Sequence, residues 1–350
     1  MCDSKCYKIT NYHLTDDHQM THEFVFNPEG TAAYITSTAD IIHRVSLNGN
    51  IKSFKMPPGS EPHGIIFNRK GQLWVTFEGL GQIVHLSDKG KILDEIDVNI
   101  YTKTNQKINP HPHGLCVDFD GKTLWFTGKA SSSIGKVNTK TKQVEQFQLP
   151  TINAEPIYIS AGAGGYIWST ELTGNNIARI SQACNPAQLD SSRDPRGSQA
   201  GKIKEFPIPT YNSRPIAIIP SPDGKYMWFT EENGHNVVRI SVKGEMTKFP
   251  VPLTQRNCLL ASLTFDREGN LWTQSYIDEN NPYPQGPDYI VKLDKNILNS
   301  NNISCVQITY YEASARNTVF HRISYGPDNK IWFTELHTDN FCKLAVYDRR

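Results

Sequence analysis

One aromatic motif recurs seven times along the chain, and it limits the fold more than any other feature. L-W-V-T (73–76), L-W-F-T (124–127), I-W-S-T (167–170), M-W-F-T (227–230), L-W-T-Q (271–274) and I-W-F-T (331–334) contain all six tryptophans, and A-Y-I-T (33–36) puts Tyr34 in the same slot. A turn of the N-P-E-G, R-K-G or P-D-G kind precedes most copies and signals a hairpin. Upstream lies a short apolar strand such as H-G-I-I-F (63–67), H-G-L-C-V (113–117) or I-A-I-I-P (216–220); downstream come I-V-H-L, I-G-K-V, I-A-R-I or V-V-R-I. A fourth strand closes the unit, as in V-E-Q-F-Q-L-P (144–150), I-K-E-F-P-I-P (203–209) and M-T-K-F-P-V-P (246–252), and its terminal Pro suits an outer edge. Four strands every 40 to 60 residues or so is the spacing of a propeller blade, so the expected fold is an all-β, seven-bladed β-propeller. No G-H…W-D signature marks it as a WD40 array.

The last unit, from His321, runs out of chain after three strands, while Cys6 to Leu14 (C-Y-K-I-T-N-Y-H-L) resembles the missing fourth. Pairing that N-terminal strand with the last blade would close the ring and hide both edges. Residues 1–350 are therefore expected to form one domain. Loop insertions are expected at 101–112, 182–201 and 278–287, where Pro, Asn and Ser gather.

Bulk properties narrow the partners. Lys plus Arg number 36 and Asp plus Glu 35, a net charge of +1, which provides no field to recruit nucleic acid or an anionic membrane. The N-terminus lacks the apolar core of a signal peptide, and no run of about 18 apolar residues suggests a span. A soluble, cytoplasmic monomer is expected. The seven cysteines are scattered without C-x-x-C spacing, which fits reduced thiols better than disulfides or a zinc site.

The strand that opens each unit should be innermost, lining a central channel, and the W-F-T strand runs antiparallel beside it. Residues that start the first strand and residues that end the second then share one rim. The opening slot reads His22, His63, His113, Ile157, Ile216, Ala261 and His321 around the ring. With 11 histidines in 350 residues, chance would put far less than one in seven such slots, and here four fall in consecutive blades of a closed ring. His85, His235 and His337, taken singly, read as ordinary hydrogen-bonding side chains. Glu61 lies two residues before His63, and Glu78 follows W-V-T-F, so these three converge in the second blade. Two carboxylates beside a neutral imidazole can hold a hard divalent cation and leave the imidazole free as a base. Glu171, Glu231 and Glu335, which close the W-[FS]-T-E copies, read as repeated rim residues.

These repeats resemble the streptogramin B lyases, also called virginiamycin B lyases, seven-bladed propellers that read P-H-G-I…L-W-F-T-E…I-G-R-I…I-x-E-F-P-L-P. The more specific element is E-P-H-G-I followed by W-x-x-x-E, here Glu61 to Ile65 and Trp74 to Glu78. The resemblance implies Mg²⁺ held by Glu61 and Glu78, with His63 as catalytic general base. It places His22 in a substrate-binding slot and His113 where the family has a substrate-contacting tyrosine; His321, at the same level, is expected to face the substrate too. The site blade is the last in the family and the second here, a permutation that a closed ring tolerates. The implied reaction is an Mg²⁺-dependent elimination that opens an ester of a cyclic depsipeptide, the chemistry of resistance to that antibiotic class. The alternative is a non-catalytic propeller that binds a small ligand or a protein partner, since the fold hosts many functions. Hydrolysis of a lactone would call for converging Asp and Asn ligands, which the sequence does not display.

Overall fold

The computed structural model describes residues 7–15, 20–181 and 201–347. These form seven four-stranded antiparallel sheets around a channel, the expected propeller. Its innermost strands are β2 (Thr21–Phe26), β6 (Pro62–Phe67), β12 (Pro112–Val117), β16 (Pro156–Gly162), β20 (Pro215–Pro220), β24 (Cys258–Phe265) and β28 (Phe320–Tyr325). The last blade is completed by β1 (Tyr7–His13), which pairs with β30 (Asn340–Val346) from Tyr7↔Val346 to His13↔Asn340. Tyr12 of that strand stacks on Trp332, as Phe147, Phe206 and Phe249 of other outer strands stack on Trp125, Trp168 and Trp228. A third-strand cation directly opposite the tryptophan completes the layer, for example Lys343 at 4.7 Å from the Trp332 ring and Arg179 at 5.8 Å from Trp168. The N-terminal strand thus reproduces the outer-strand chemistry, which is why the ring can close with it.

The Thr of W-x-T explains itself in the assembled ring. Its hydroxyl accepts the N–H of the residue after the slot in its own blade and donates to the slot carbonyl of the next blade: Gly64 N–H to Thr76 Oγ1 at 2.7 Å, then Thr76 Oγ1 to His113 O at 3.0 Å. The same bond joins Thr36 to His63 O at 2.8 Å and, across the closure, Thr334 to His22 O at 2.7 Å. Gly64 faces that seam, where a Cβ would lie 2.3 Å from the His113 carbonyl oxygen, so no larger residue fits.

Two sequence expectations need adjustment, and one falls outside the described residues. Segment 101–112 is more than a loop: Ile100–Tyr101 pairs with Lys107–Ile108 in a short ribbon. Segment 182–201 lies, except for Gly201, outside the described residues. Glu171, Glu231 and Glu335 are not rim charges; each is fully buried and accepts a bond from the Asn five residues on, Asn176, Asn236 or Asn340. Segment 278–287 is a loop as expected, anchored where buried Asp288 accepts from Ile277 N–H and Thr318 N–H. Among the described residues, Cys116, Cys258, Cys305 and Cys342 are free thiols, and no helix is long and apolar enough to cross a membrane.

Candidate functional site

Every innermost strand begins with the same irregularity. The register slips between Thr21 and Phe24, between Pro62 and Ile65, between Pro112 and Leu115, and at the matching places in the other four blades. The slot residue and its successor therefore lie in a β-bulge, which re-aims side chains that a flat strand would point to opposite faces. In six blades the residue two before the slot also has positive φ: Met20, Glu61, His111, Glu155, Arg214 and Val319. A non-glycine residue there, and a β-branched one above all, is a strained conformation held by its surroundings.

The bulges build one cavity of about 500 Å³ at the channel mouth. It has two unlike halves. Blades seven, one, two and three contribute His321, His22, His63 and His113, while blades four, five and six contribute Ile157, Ile216 and Ala261. The imidazoles touch in a chain: ring centroids lie 4.7 Å apart for His22 and His321, 4.9 Å for His22 and His63, and 3.6 Å for His63 and His113. His63 is only 3% exposed, and its Nδ1 has no hydrogen-bond partner. His22 Nδ1 lies 2.6 Å from the Met20 carbonyl oxygen and His113 Nδ1 3.0 Å from that of Ile157, so each ring donates there and turns the Nε2 lone pair away from its tether.

Burial keeps His22, His63 and His113 neutral. It lowers His22 to about 3, with the nearby His321 adding to the effect, and lowers His113 to about 3, with Lys129 adding. His63 falls well below the usual imidazole value, again through burial first and then through His113 and His22. Glu78, at the end of the second strand of its blade, faces the same cavity. Burial raises its carboxyl, and Lys129 Nζ at 3.5 Å and His111 Nδ1 at 3.7 Å from Oε1 partly offset the rise. Single nitrogen and oxygen atoms of His63, Glu78 and His113 lie within 4.8 Å of one another, and so do ring nitrogens of His22, His63 and His321.

Glu61 stands at the same mouth but is exposed. Its N–H donates to Asp40 Oδ1 at 2.8 Å, its carbonyl accepts Glu78 N–H at 3.2 Å, and its carboxylate lies against Gly79. Of the six residues singled out from sequence, His22, His63, His113, His321 and Glu78 line the cavity, and Glu61 is not among its lining residues.

Sequence reasoning missed a second polar layer. Glu23 and Arg322 directly follow the slot histidines His22 and His321, in adjoining blades, and meet with Arg322 Nε 3.5 Å from Glu23 Oε2. His321 Nδ1 lies 3.3 Å from Glu23 Oε1, and the Arg322 guanidinium sits 4.7 Å from the Tyr158 ring of blade four. Opposite charges in equivalent positions of adjoining repeats were a signal that could have found this pair. Across the mouth, Arg214 Nε bonds Glu232 Oε2 at 2.6 Å, and Tyr276 OH donates to Glu232 Oε1 at 2.9 Å.

No family model matches the chain. Virginiamycin B lyase of Nocardia farcinica (strain IFM 10152) is 26% identical over 201 residues, so the match spans 57% of this chain and 60% of that protein. Among solved structures the chain is similar to a streptogramin B lyase, with TM-score 0.76 and 23% identity over 97% of this chain and 98% of the other. It is similar too to virginiamycin B lyase of Staphylococcus aureus, with TM-score 0.75 and 24% identity over 97% and 99%. A catalytically inactive histidine-to-alanine form of that protein, solved with quinupristin, matches to the same degree. The resemblance read from the repeats thus stands in sequence and in fold.

Proposed function

We propose that this virginiamycin B lyase-like propeller is a carbon–oxygen lyase that opens an ester bond of a cyclic depsipeptide or similar substrate by elimination, with His63 as general base. The observation that carries this reading is His63: a buried, neutral imidazole with an unpartnered ring nitrogen, at a cavity half polar and half apolar. Such a cavity suits a ligand with a reactive polar edge and hydrophobic side chains.

Glu61 and Glu78 are the residues that would hold Mg²⁺. A hard cation of this kind takes one or two carboxylates and keeps several waters, which fits a solvent-open rim. A Cβ on Gly79 would lie 2.2 Å from the Gly59 carbonyl oxygen and 3.2 Å from Glu61 Oε2, so glycine at that place lets the Glu61 carboxylate lie close beside the Glu78 backbone. When bound, the ion supplies polarisation of the ester carbonyl and stabilises charge on its oxygen.

His63 accepts the proton from the alcohol-side carbon next to the one that bears the ester oxygen, α to the neighbouring amide carbonyl; the C–H electrons become the new double bond, the alkyl C–O bond breaks, and the ester oxygen leaves as a carboxylate. Forming an imidazolium in a buried site is costly, and the Glu78 carboxylate within 4.8 Å offsets that cost. His22, His113 and His321 bind the substrate around the base, and Ile157, Ile216 and Ala261 receive its apolar part. The reaction would inactivate a streptogramin-type antibiotic.

Incubation of the protein and Mg²⁺ with quinupristin or virginiamycin S, read by mass spectrometry, tests this. Elimination gives a linear product of unchanged mass, and hydrolysis adds one water. His63→Ala should lower turnover by about 10² to 10⁴; undiminished turnover would end the proposal. Silence of the parent protein, with a partner recovered in its place, would favour the non-catalytic binding propeller.

A further inference from the structure

The imidazole half of the cavity holds more nitrogen than a single general base needs. His22, His63 and His321 each offer a ring nitrogen, and these lie within 4.8 Å of one another. One of the three rings is tethered through Nδ1, His22 to the Met20 carbonyl at 2.6 Å, while His321 Nδ1 stands 3.3 Å from the Glu23 carboxylate without a hydrogen bond. A ring so tethered presents Nε2 as a lone-pair donor, and a carboxylate behind the imidazole raises its basicity toward a metal. Glu23 is in turn held by Arg322 at 3.5 Å, so this backing is itself fixed. The third ring, His63, has a buried Nδ1 without a hydrogen-bond partner in a residue 3% exposed. An orphan of that kind is costly unless something satisfies it.

We infer that His22, His63 and His321 form a second metal site, separate from the rim carboxylates, that takes a first-row transition dication, Zn²⁺ foremost, through three imidazoles with a fourth position open to the cavity. Neutral nitrogen donors suit zinc, copper, nickel or cobalt, whereas Mg²⁺ demands oxygen. Three histidines with an open position is an arrangement zinc adopts, at bond lengths of about 2.0–2.1 Å. Tetrahedral binding at that length needs nitrogens roughly 3.4 Å apart, so the rings close by at most about 1.5 Å. The neighbouring group of His63, Glu78 and His113 is less suited. The His63 and His113 rings approach centroid to centroid at 3.6 Å rather than converging on one point.

This goes beyond the elimination proposed above and does not depend on it. Because the site uses His63, an ion there and His63 acting as base exclude each other, and zinc is expected to inhibit any elimination.

The test uses the untagged full chain, stripped with a chelator and titrated with Co²⁺ while visible absorption is followed. One equivalent should bind with the intense d–d bands of a four-coordinate ion, and one equivalent of Zn²⁺ should bleach them. His22→Gln and His321→Gln should each weaken Zn²⁺ binding at least 100-fold, and Glu23→Gln by about 10- to 100-fold, the usual range for a group behind a ligand. Glu78→Gln and His113→Gln should bind as the parent does. Uptake of less than one equivalent by the parent overturns the site whatever the variants do. So does loss of binding in Glu78→Gln or His113→Gln with binding kept in His22→Gln and His321→Gln, each variant first shown folded by circular dichroism. A protein that binds cobalt in this way but opens no depsipeptide would sink the lyase reading and leave this site standing.

Discussion

Replacing Arg322 by Met removes the cation from the polar layer beneath the histidines while leaving a side chain of similar bulk over Tyr158. Glu23 is buried against it, its side chain 15% exposed, with Arg322 Nε at 3.5 Å and His321 Nδ1 at 3.3 Å. Burial alone would push the Glu23 carboxyl up, but Arg322, followed by His321, more than reverses this and holds it at about 2 instead of 4.5. At about 1.36 kcal/mol per pH unit, that depression corresponds to roughly 3 kcal/mol of stability. The folded-state value is the lower one, so this stability is fully present above about pH 4.5 and is lost as pH falls toward 2. In the variant the burial contribution stands unopposed by the guanidinium, and the carboxyl rises. At pH 7.5 the variant should be less stable by about 3 kcal/mol, which for a chain of 350 residues is roughly a 4 °C drop in Tm. Near pH 3, where Glu23 is largely protonated in the variant and begins to protonate in the parent, the deficit should shrink to about half or less. Thermal melts of both proteins at the two pH values, followed by circular dichroism at low salt, measure this. An equal deficit at both values would mean that Arg322 contributes only packing, and the electrostatic account would fail.

Three further outcomes are expected. Glu171 is raised by burial to about 8 against 4.5, so stability should fall as pH rises between those values, and Glu171→Gln should abolish that slope and stabilise the protein at pH 8 by up to about 4 kcal/mol in urea titrations. Thr334→Val removes the bond that joins the last blade to the His22 carbonyl and strands a buried acceptor, which should cost about 1–3 kcal/mol; a melt identical to the parent's would show the seam bond to be idle. If Glu78 must be ionised for turnover, the acid limb of kcat/KM should lie above 4.5, and Lys129→Met, by removing the cation at 3.5 Å, should move it further up; an unmoved limb would argue against a role for that carboxylate.

The propeller and its closure were legible because each depends on local chemistry copied seven times. The tryptophan slot, the hairpin turn before it and the aromatic of the outer strand recur in most blades, and Tyr12 repeats the outer-strand aromatic at the far end of the chain. The slot histidines were legible for the same reason: a position in a repeat is a position in the ring. The carboxylates were harder to read. Glu78 and Glu171 differ by one place after the W-x-T element, and since side chains alternate across a strand, that single step sends Glu78 into the cavity and buries Glu171 against Asn176. Phe77 fills the Glu171 place in the second blade, a substitution whose meaning depends on which face the strand turns inward.

By itself, then, the order of residues determined the number of blades, the strand that closes them, and the ring of slots in which four imidazoles stand side by side. Only the tertiary structure decided that His22, His63 and His113 are held neutral by burial, that Glu23 and Arg322, about 300 positions apart, meet beneath them, and that Lys129 and His111 of the third blade attend Glu78 of the second. The reason is physical. Backbone pairing and side-chain alternation are set by neighbours along the chain, whereas desolvation and Coulomb interaction depend on distance through space, and in a closed ring those distances exist only after the last strand has met the first.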